Sequence, residues 1–368
     1  MRYKVLYICD ISHLHFASIA DRMLIKGLYQ KNVDITVVTS KSTSDTHDLE
    51  KLGVKIVYIN LRNLSFIQNV RRIRKILIEG NIDIIHVTYS RAAFIGLMAS
   101  RGINIKVVGY FGSLSIHWYD PTAWFTFLNK RMDRIICPSD AVARHLKMQL
   151  NSHNRNKVVR IYKGYDTSWF DKVKEVTRER LGAAPNDFII CSTGNLRRVK
   201  GIKYLIKAIG HIPKSIPFKI LLIGSGTNSS RVIRLVNKTG RPERFILKGY
   251  VPVSPAFMAA CNLYVQPSLS EGLGRAITEA MCLAKPVIVT DGGGPKELIT
   301  DGFNGFVVKS GSHKAIGEAI IWCYENRESL PFIGLKARKT IMERFNHLQT
   351  VQMTDDLYLE LLNGKGEF

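Results

Sequence analysis

Short apolar runs alternate along the chain with longer segments in which apolar residues recur at every third or fourth position. The short runs predict buried β-strands, and the periodic segments predict helices that pack one face on a sheet. The predicted strands are Lys4–Cys9, Asp34–Thr39, Lys55–Ile59, Ile82–Val87, Lys106–Tyr110, Arg134–Pro138, Lys157–Ile161, Phe188–Ser192, Lys219–Ile223, Phe245–Lys248, Leu263–Gln266, Pro286–Val289 and Gly305–Val308. The predicted helices are Ser18–Gln30, Ser65–Glu79, Arg91–Arg101, Pro121–Lys130, Asp140–Leu150, Ile202–His211, Ser229–Lys238, Ser254–Cys261, Ala276–Leu283, His313–Asn326 and Gln349–Leu362.

Strands and helices that alternate in this way predict an α/β fold with parallel, doubly wound sheets, which bind ligands at the carboxyl ends of their strands. A polar, charged segment at residues 165–186 interrupts the alternation and indicates a domain boundary. We therefore predict two Rossmann-like domains facing a cleft, at residues 1–165 and 166–345. The last helix, within residues 346–368, is expected to cross back to the first domain.

The composition is typical of a globular protein, with 46% hydrophobic and 23% charged residues, and the length of 368 residues fits two domains. The apolar runs are too short for a transmembrane helix, and the first one ends at Asp10, which indicates a strand and not a signal peptide. The six cysteines have no paired spacing, so we predict buried thiols in a reducing cytoplasm, without a disulfide or a zinc site.

The formal net charge of +23 is the unusual feature of the composition, and the excess of lysine and arginine extends over both halves of the chain. Nucleic acid, an anionic membrane surface and phosphorylated ligands could each explain the charge, and so could solubility alone. No nucleic-acid-binding module and no concentrated basic segment is evident, so we expect no nucleic-acid partner.

A glycine-bearing turn joins a predicted strand to a predicted helix at Ser268–Met281, SLSEGLGRAITEAM. Backbone N–H groups at the start of a helix bind anions, and Gly272 and Gly274 allow the backbone to approach a ligand closely. Glu271 and Glu279 bracket the turn, so we predict a site for a phosphorylated sugar or nucleotide whose hydroxyls donate to these carboxylates. The simpler alternatives are a helix cap for Glu271 and an exposed helix carboxylate for Glu279.

Three other glycine turns follow predicted strands of the second half, namely Thr193–Gly201, Gly224–Gly226 and Asp291–Glu297. The first turn carries Arg197, Arg198 and Lys200, whose charges could neutralise a diphosphate. Together these turns predict a phosphate-binding edge of one sheet. The first strand lacks a following G-x-G-x-x-G sequence and the chain lacks a G-x-x-x-x-G-K-[ST] loop, which argues against NAD, FAD and P-loop NTPase sites.

The Glu271-x7-Glu279 spacing, followed by GGGPKELITDGFNGFVV at Gly292–Val308, resembles the retaining GT-B glycosyltransferases of family 4. The resemblance extends from about residue 80 to residue 345. Its other segments are Gly194–Gly201, Tyr162–Phe170, Ile82–Val87 and Ile136–Ser139.

The resemblance implies a role for each candidate residue of the second domain. Glu279 would accept hydrogen bonds from the ribose of a nucleotide-sugar donor, and Glu271 would hold hydroxyls of the donor sugar. Lys200 and Arg197 would stabilise the charge that develops on the diphosphate. The remaining implied donor-binding residues are Gly272, Leu273, Gly274, Gly194, Arg198 and Gly224. The nucleotide sugar is then a co-substrate, with a UDP-sugar favoured and a GDP-sugar as the alternative, and no metal or other cofactor is needed.

The chain departs from the family pattern at three places. Asn195 occupies the position of an arginine that Arg197 or Arg198 would replace, and the glycine pair after the first strand is replaced by the segment Ser12–His15. A histidine that many members carry after the fifth strand is absent, and His117 is the nearest substitute. Candidate contacts to the acceptor or the sugar are therefore His117, Gly112, Ser113 and His13, with Gly112 and Ser113 expected to line the cleft. The histidines His13, His15, His86 and His117 could each equally have a packing or surface role.

Two stretches of the first domain bear on the acceptor. The segment Asn63–Glu79 predicts a basic amphipathic helix, and Ile116–Arg131 places aromatic residues ahead of two cations. Both suit an anionic membrane surface, although a helix with a solvated basic face explains the first equally well and a sugar-stacking surface is the alternative for the second. We thus predict a cytoplasmic protein that associates peripherally with the inner face of the cytoplasmic membrane.

The resemblance implies a retaining glycosyltransferase that moves a sugar from a nucleotide sugar to a glycan or lipid-linked acceptor, in bacterial polysaccharide or lipopolysaccharide biosynthesis. The alternatives are a GT-B-like nucleotide-sugar epimerase, a glycan phosphorylase, and an inactive homologue that only binds the nucleotide sugar.

Overall fold

The computed structural model describes residues 3–11, 15–62 and 65–364, apart from the side chains of residues 15–17. The chain forms two compact units. The first unit consists of Met1–Gly164 with His347–Phe368, and the second consists of Tyr165–Asn346. The stretch 165–186, which the sequence indicated as a boundary, lies in the second unit, where Tyr165 and Phe170 are buried.

The first unit contains a seven-stranded parallel sheet in the order β3-β2-β1-β4-β5-β6-β7. Its strands are β1 (Lys4–Ile8), β2 (Asp34–Thr39), β3 (Lys55–Tyr58), β4 (Ile84–Val87), β5 (Lys106–Tyr110), β6 (Arg134–Cys137) and β7 (Val158–Arg160). The helices between them are α1 (His15–Gln30), α2 (Ser44–Lys51), α3 (Phe66–Glu79), α4 (Ser90–Ala99), α5 (Pro121–Trp124) and α6 (Asp140–Gln149).

Two helices of this unit differ from the sequence prediction. The helix predicted over Pro121–Lys130 ends at Trp124, because the Asn129 side chain donates to the Trp124 carbonyl and the following residues form turns. Helix α2 was not predicted because it is largely polar. A capping box between Thr43 and Thr46 begins this helix.

The second unit contains a six-stranded parallel sheet in the order β10-β9-β8-β11-β12-β13. Its strands are β8 (Phe188–Thr193), β9 (Phe218–Ile223), β10 (Phe245–Gly249), β11 (Leu263–Gln266), β12 (Val287–Thr290) and β13 (Phe306–Val308). Its helices are α7 (Arg178–Leu181), α8 (Ile202–Ala208), α9 (Ser230–Asn237), α10 (Ser254–Ala259), α11 (Arg275–Cys282), α12 (Pro295–Leu298), α13 (His313–Glu325) and α14 (Leu330–Arg344).

Helix α15 (His347–Leu362) belongs to the first unit and packs on α1. Gly27 of α1 makes this contact close, since a Cβ atom there would lie 2.5 Å from a methyl group of Val351. Tyr3 donates to Asp355 at 2.5 Å, and Tyr358 bonds the imidazole of His86 in β4. Helix α15 therefore completes the core on one face of the first sheet.

All six cysteines are buried free thiols, as the sequence predicted. Among the residues that the structure describes, no helix has the length and apolar content needed to span a bilayer.

Candidate functional site

Loops that follow β8, β11 and β12 are joined by backbone hydrogen bonds at the carboxyl edge of the second sheet. The Leu269 N–H donates to the Val199 carbonyl at 2.7 Å, which ties the loop after β11 to the loop after β8. The Glu271 N–H donates to the Gly292 carbonyl at 2.9 Å, and the Gly294 N–H donates to the Glu271 carbonyl at 3.1 Å. Residues that are 21 to 70 positions apart in sequence are thus hydrogen-bonded to one another at this edge.

Two glycines permit these close approaches. Gly201 has a φ of +66°, and a Cβ atom there would lie 1.7 Å from the carbonyl oxygen of Pro267. Gly224 has a φ of +133°, and its Cβ atom would lie 2.1 Å from the carbonyl oxygen of Gly194. Both positions therefore require glycine for backbone packing, independently of any ligand. The predicted donor-binding residues Gly194 and Gly224 lie against each other at the ends of β8 and β9.

Lys200 and Glu271 form an ion pair at this edge, with 2.6 Å between Nζ and Oε2. Their side chains are 20% and 15% exposed, so the pair is largely shielded from solvent yet remains accessible. The two residues that were predicted to bind a diphosphate and a donor sugar are therefore in direct contact. A ligand that contacts one of these residues therefore also interacts electrostatically with the other.

A line of hydrogen-bonded side chains, here called the polar chain, leads to Glu271 from inside the unit. The Ser268 hydroxyl donates to Glu271 Oε2 at 3.2 Å, and Gln266 Nε2 donates to that hydroxyl at 2.8 Å. The Tyr264 hydroxyl donates to Gln266 Oε1 at 2.7 Å. Since that hydroxyl gives its hydrogen to Gln266, the Thr193 hydroxyl, 2.9 Å away, donates to Tyr264. Every hydrogen bond of the polar chain is donated in the direction of the carboxylate, so the chain fixes the orientation of the Glu271 side chain.

The sequence analysis did not single out the polar chain. Tyr264, Gln266 and Ser268 are fully or almost fully buried, and burial raises the pKa of the Tyr264 hydroxyl. The available signal was the spacing of two residues from Tyr264 to Gln266 and on to Ser268 just beyond the strand, which places Tyr264 and Gln266 on one face of β11. Buried polar groups need partners, so this face implies a network directed at the loop after β11.

Glu279 lies on α11 and is only 4% exposed. Burial raises the pKa of its carboxyl to about 7, against the opposing effect of Arg275. The Arg275 guanidinium is 3.4 Å from Glu279 Oε1, one helical turn earlier, and is itself 57% exposed. The exposed-carboxylate alternative for Glu279 is therefore wrong, and Arg275 is a charged neighbour that the sequence analysis did not identify.

The residues Gly272, Leu273 and Gly274 are buried immediately before α11. Gly274 has a φ of +98°, and the helix begins at the next residue. The first turn of a helix presents backbone N–H groups that have no partner within the helix, and it carries the positive end of the helix dipole. This arrangement is suited to an anion such as a diphosphate.

Arg197 and Arg198 are exposed and lie apart from the Lys200–Glu271 pair. Both line a groove of about 680 Å³ between α8 and α9, and neither Lys200 nor Glu271 lines it. Arg197 Nε donates to Asn195 Oδ1 at 3.1 Å, so Arg197 contacts the residue that stands where the family usually has an arginine.

Three first-unit candidates follow β5. Gly112 is exposed, and the Ser113 hydroxyl is 2.8 Å from the Ser115 hydroxyl. His117 stacks on Tyr119 with 5.0 Å between ring centroids and meets His145 edge to face. His13 lies outside the described residues, as does the side chain of His15.

His86 has a packing role and does not lie at a surface site. It is 1% exposed, and burial lowers the pKa of its imidazole to about 3. Within the described parts of the chain, no three His, Cys, Asp or Glu side chains converge in a way that could hold a metal ion.

Two family models match the chain, "Glycosyl transferases group 1" over residues 173–340 and "Glycosyltransferase Family 4" over residues 22–169. The glycosyltransferase MJ1178 of Methanocaldococcus jannaschii is 26% identical over 352 residues, 92% of each chain. The lipopolysaccharide core biosynthesis glycosyltransferase LpsE of Rhizobium meliloti is 23% identical over 362 residues, 96% of this chain and 99% of LpsE.

The crystal structure of Anabaena Alr3699/HepE in complex with UDP-glucose shares the fold, with a TM-score of 0.78. It is 21% identical and covers 98% of this chain and 99% of its own. The predicted GT-B fold and the predicted transferase class are confirmed by these likenesses and by the two parallel sheets. The chain therefore belongs to the group 1 glycosyltransferases.

Proposed function

We propose that this glycosyltransferase is a retaining enzyme that moves a sugar from a nucleotide sugar to a glycan or lipid-linked acceptor. A UDP-sugar is the favoured donor, and a GDP-sugar is the alternative. The observation that carries the proposal is the Lys200–Glu271 pair, held at 2.6 Å at the sheet edge where α11 begins. A cation for a diphosphate and a carboxylate for sugar hydroxyls are the two groups that such a donor requires.

In the proposed complex, the ribose hydroxyls donate to Glu279 and the diphosphate lies at the first turn of α11. Gly272, Leu273 and Gly274 directly precede that turn, so their backbone N–H groups lie beside the positive end of the helix dipole, which favours negative charge. Lys200 neutralises the outer phosphate, and Glu271 accepts hydrogen bonds from the sugar. The polar chain supports this role because its donors fix the carboxylate that must meet the sugar.

The reaction breaks the bond between the anomeric carbon and the diphosphate oxygen, and it forms a bond from that carbon to an acceptor hydroxyl oxygen. The electron pair of the broken bond stays on the diphosphate, and the hydroxyl proton moves to a leaving phosphate oxygen. Retention follows when the acceptor attacks the face from which the diphosphate departs. Lys200 stabilises the charge that develops on the leaving group, so the proposal needs no metal ion.

Two relatives support the choice of substrates. HepE was crystallised with UDP-glucose, and LpsE is named for lipopolysaccharide core biosynthesis. We therefore assign this chain a UDP-sugar and a role in bacterial polysaccharide or lipopolysaccharide assembly. The buried free thiols favour the cytoplasm as the compartment.

Calorimetric titration with UDP and GDP, followed by donor turnover, tests the proposal. Lys200→Ala should weaken UDP binding at least tenfold, because a charge-assisted contact contributes roughly 1.5–3 kcal/mol. Glu271→Ala should abolish sugar transfer while UDP still binds. Lys214→Ala, an exposed lysine of the same unit, is the matched control. Unchanged turnover in both site variants contradicts the assignment, and binding without any wild-type transfer identifies an inactive homologue.

A further inference from the structure

Six aromatic side chains of the first unit, most of them exposed, form two groups that the neighbouring residues Trp124 and Phe125 join, and together they are here called the aromatic patch. Its members are Phe66, Phe94, Trp118, Tyr119, Trp124 and Phe125. Trp118 is 62% exposed, Tyr119 is 65% exposed and Phe125 is 55% exposed. Exposed apolar surface of this extent on a globular protein marks an interaction site.

The patch is built from stretches that lie far apart in the sequence. The Phe66 ring at the start of α3 stacks on Phe94 of α4 with 4.6 Å between centroids. Phe94 in turn meets Phe125 edge to face at 5.9 Å. Trp124 Nε1 donates to the carbonyl of Trp118 at 2.8 Å, which fixes the other end of the patch. The early end of α5 thus leaves the rings on the surface instead of in a helix face.

The basic residues of α3 lie beside the patch, and only some of them are bound to other groups of the protein. Arg74 donates to the carbonyls of Ala99 and Arg101, and Lys75 pairs with Glu79. Arg71 and Arg72 are exposed and form no ion pair within the described residues. Both lie one to two turns after Phe66 on α3, next to the exposed Ile67.

We infer that the aromatic patch docks on the interfacial region of a bilayer that contains anionic lipids. Tryptophan and tyrosine suit this region because each has an apolar ring and a polar edge, and Arg71 and Arg72 complement anionic headgroups. The inference deepens the proposed lipid-linked acceptor by bringing the enzyme to the surface where such an acceptor lies. Vesicle binding is measured without nucleotide, so its failure is distinct from failure of the donor site.

Flotation of the full chain with vesicles tests the inference. The vesicles contain phosphatidylcholine alone, or equal parts of phosphatidylcholine and phosphatidylglycerol. Wild-type protein should float with the anionic vesicles and be released by high salt. The double variant Trp118→Ser with Phe125→Ser should bind at least tenfold more weakly. Removal of Arg71 and Arg72 should weaken binding about fivefold for each arginine, from roughly 1 kcal/mol per basic residue.

Matched controls come from the second unit. Phe332→Ser with Leu335→Ser removes two exposed apolar residues of α14, and Arg231→Ala with Arg234→Ala removes two cations of α9. Both controls should float like wild type. The inference is overturned if wild-type protein does not bind the vesicles, or if it binds equally well with and without phosphatidylglycerol. It is also overturned if the control variants lose as much vesicle affinity as the patch variants.

Tryptophan quenching gives a second readout that does not depend on variant stability. Brominated lipids should quench wild-type fluorescence, because Trp118 and Trp124 lie in the patch. The variant Trp118→Phe with Trp124→Phe keeps only Trp169 and Trp322, both in the second unit, and should show no quenching. Equal quenching of this variant contradicts docking through the patch.

Discussion

Replacement of Gln266 by methionine removes the central link of the polar chain while nearly conserving side-chain volume. Gln266 is 3% exposed and makes two hydrogen bonds, at 2.7 Å to Tyr264 and at 2.8 Å to Ser268. Tyr264 keeps its bond to Thr193, and Ser268 keeps Glu271 as its acceptor. The loss is therefore near the lower end of the cost of a broken buried hydrogen bond, about 1 kcal/mol for each bond, or about 2 kcal/mol in total.

That loss should lower the melting temperature by about 4–8 °C for a unit of this size. The catalytic effect should be larger, because Glu271 loses the donor line that fixes its carboxylate. We expect kcat to fall about 10- to 100-fold. UDP affinity should change less than twofold, because UDP lacks the donor sugar that Glu271 is proposed to hold. Turnover of the donor and titration with UDP measure the two effects separately.

A destabilising substitution elsewhere in the same unit separates the orientation of Glu271 from simple loss of stability. Ile220→Val in the fully buried strand β9 should cost about 1 kcal/mol and leave kcat unchanged. Tyr264→Phe breaks the chain one step earlier and should lower kcat less than Gln266→Met. If kcat of Gln266→Met is unchanged, or if Ile220→Val lowers it equally, the polar chain does not position Glu271.

Three further substitutions test separate parts of the account. Gly201→Ala should lower the free energy of unfolding, measured in urea, by well over the roughly 1–2 kcal/mol that a left-handed backbone costs, since its Cβ would lie 1.7 Å from a carbonyl oxygen. The control Gly182→Ala, at a φ of +72° with open space around the Cβ, should lose only that backbone contribution. The difference in the free energy of unfolding between wild type and Glu279→Gln should fall by about 3 kcal/mol from pH 4.5 to about 7, because His86 and the other titrating groups contribute equally to both proteins. Gly27→Ala should destabilise the first unit by about 1–3 kcal/mol through α15, with UDP affinity unchanged.

The sign of the Glu279 effect follows from its raised pKa. Between pH 4.5 and about 7 the folded protein keeps a proton on Glu279 that the unfolded chain has released, so the contribution of this carboxyl to stability is greatest at the acidic end and is lost as the pH rises. A stability difference between wild type and Glu279→Gln that grows with pH across this window contradicts the burial argument. An equal loss of stability in Gly201→Ala and Gly182→Ala contradicts the prediction for Gly201. Weaker UDP binding in Gly27→Ala contradicts the prediction for Gly27.

The strands were predictable because a parallel sheet buried on both faces leaves a continuous apolar run. Helix α14 was missed because it carries apolar residues on its exposed side as well, with Phe332 at 66% and Leu335 at 57% exposure. Periodicity gives no single face in such a segment, and only contact with α11 defines which side is buried.

The candidate site was predictable as a set of turns but not as contacts. Lys200 and Glu271 are 71 positions apart, and they meet because β8 and β11 are neighbours in the sheet, an order that the sequence does not state. Arg197 and Arg198 were predicted to act together with Lys200, yet a short 3₁₀ turn before Gly201 directs only Lys200 to the carboxylate.

Proton NMR of the first sugar product formed from an α-linked UDP-sugar tests the central claim most directly. The anomeric coupling distinguishes an α-linked product from a β-linked one. The account predicts an α-linked product from the wild type and from Lys214→Ala, and no product from Lys200→Ala. A β-linked product, or full turnover by Lys200→Ala, would contradict retaining transfer at the Lys200–Glu271 pair.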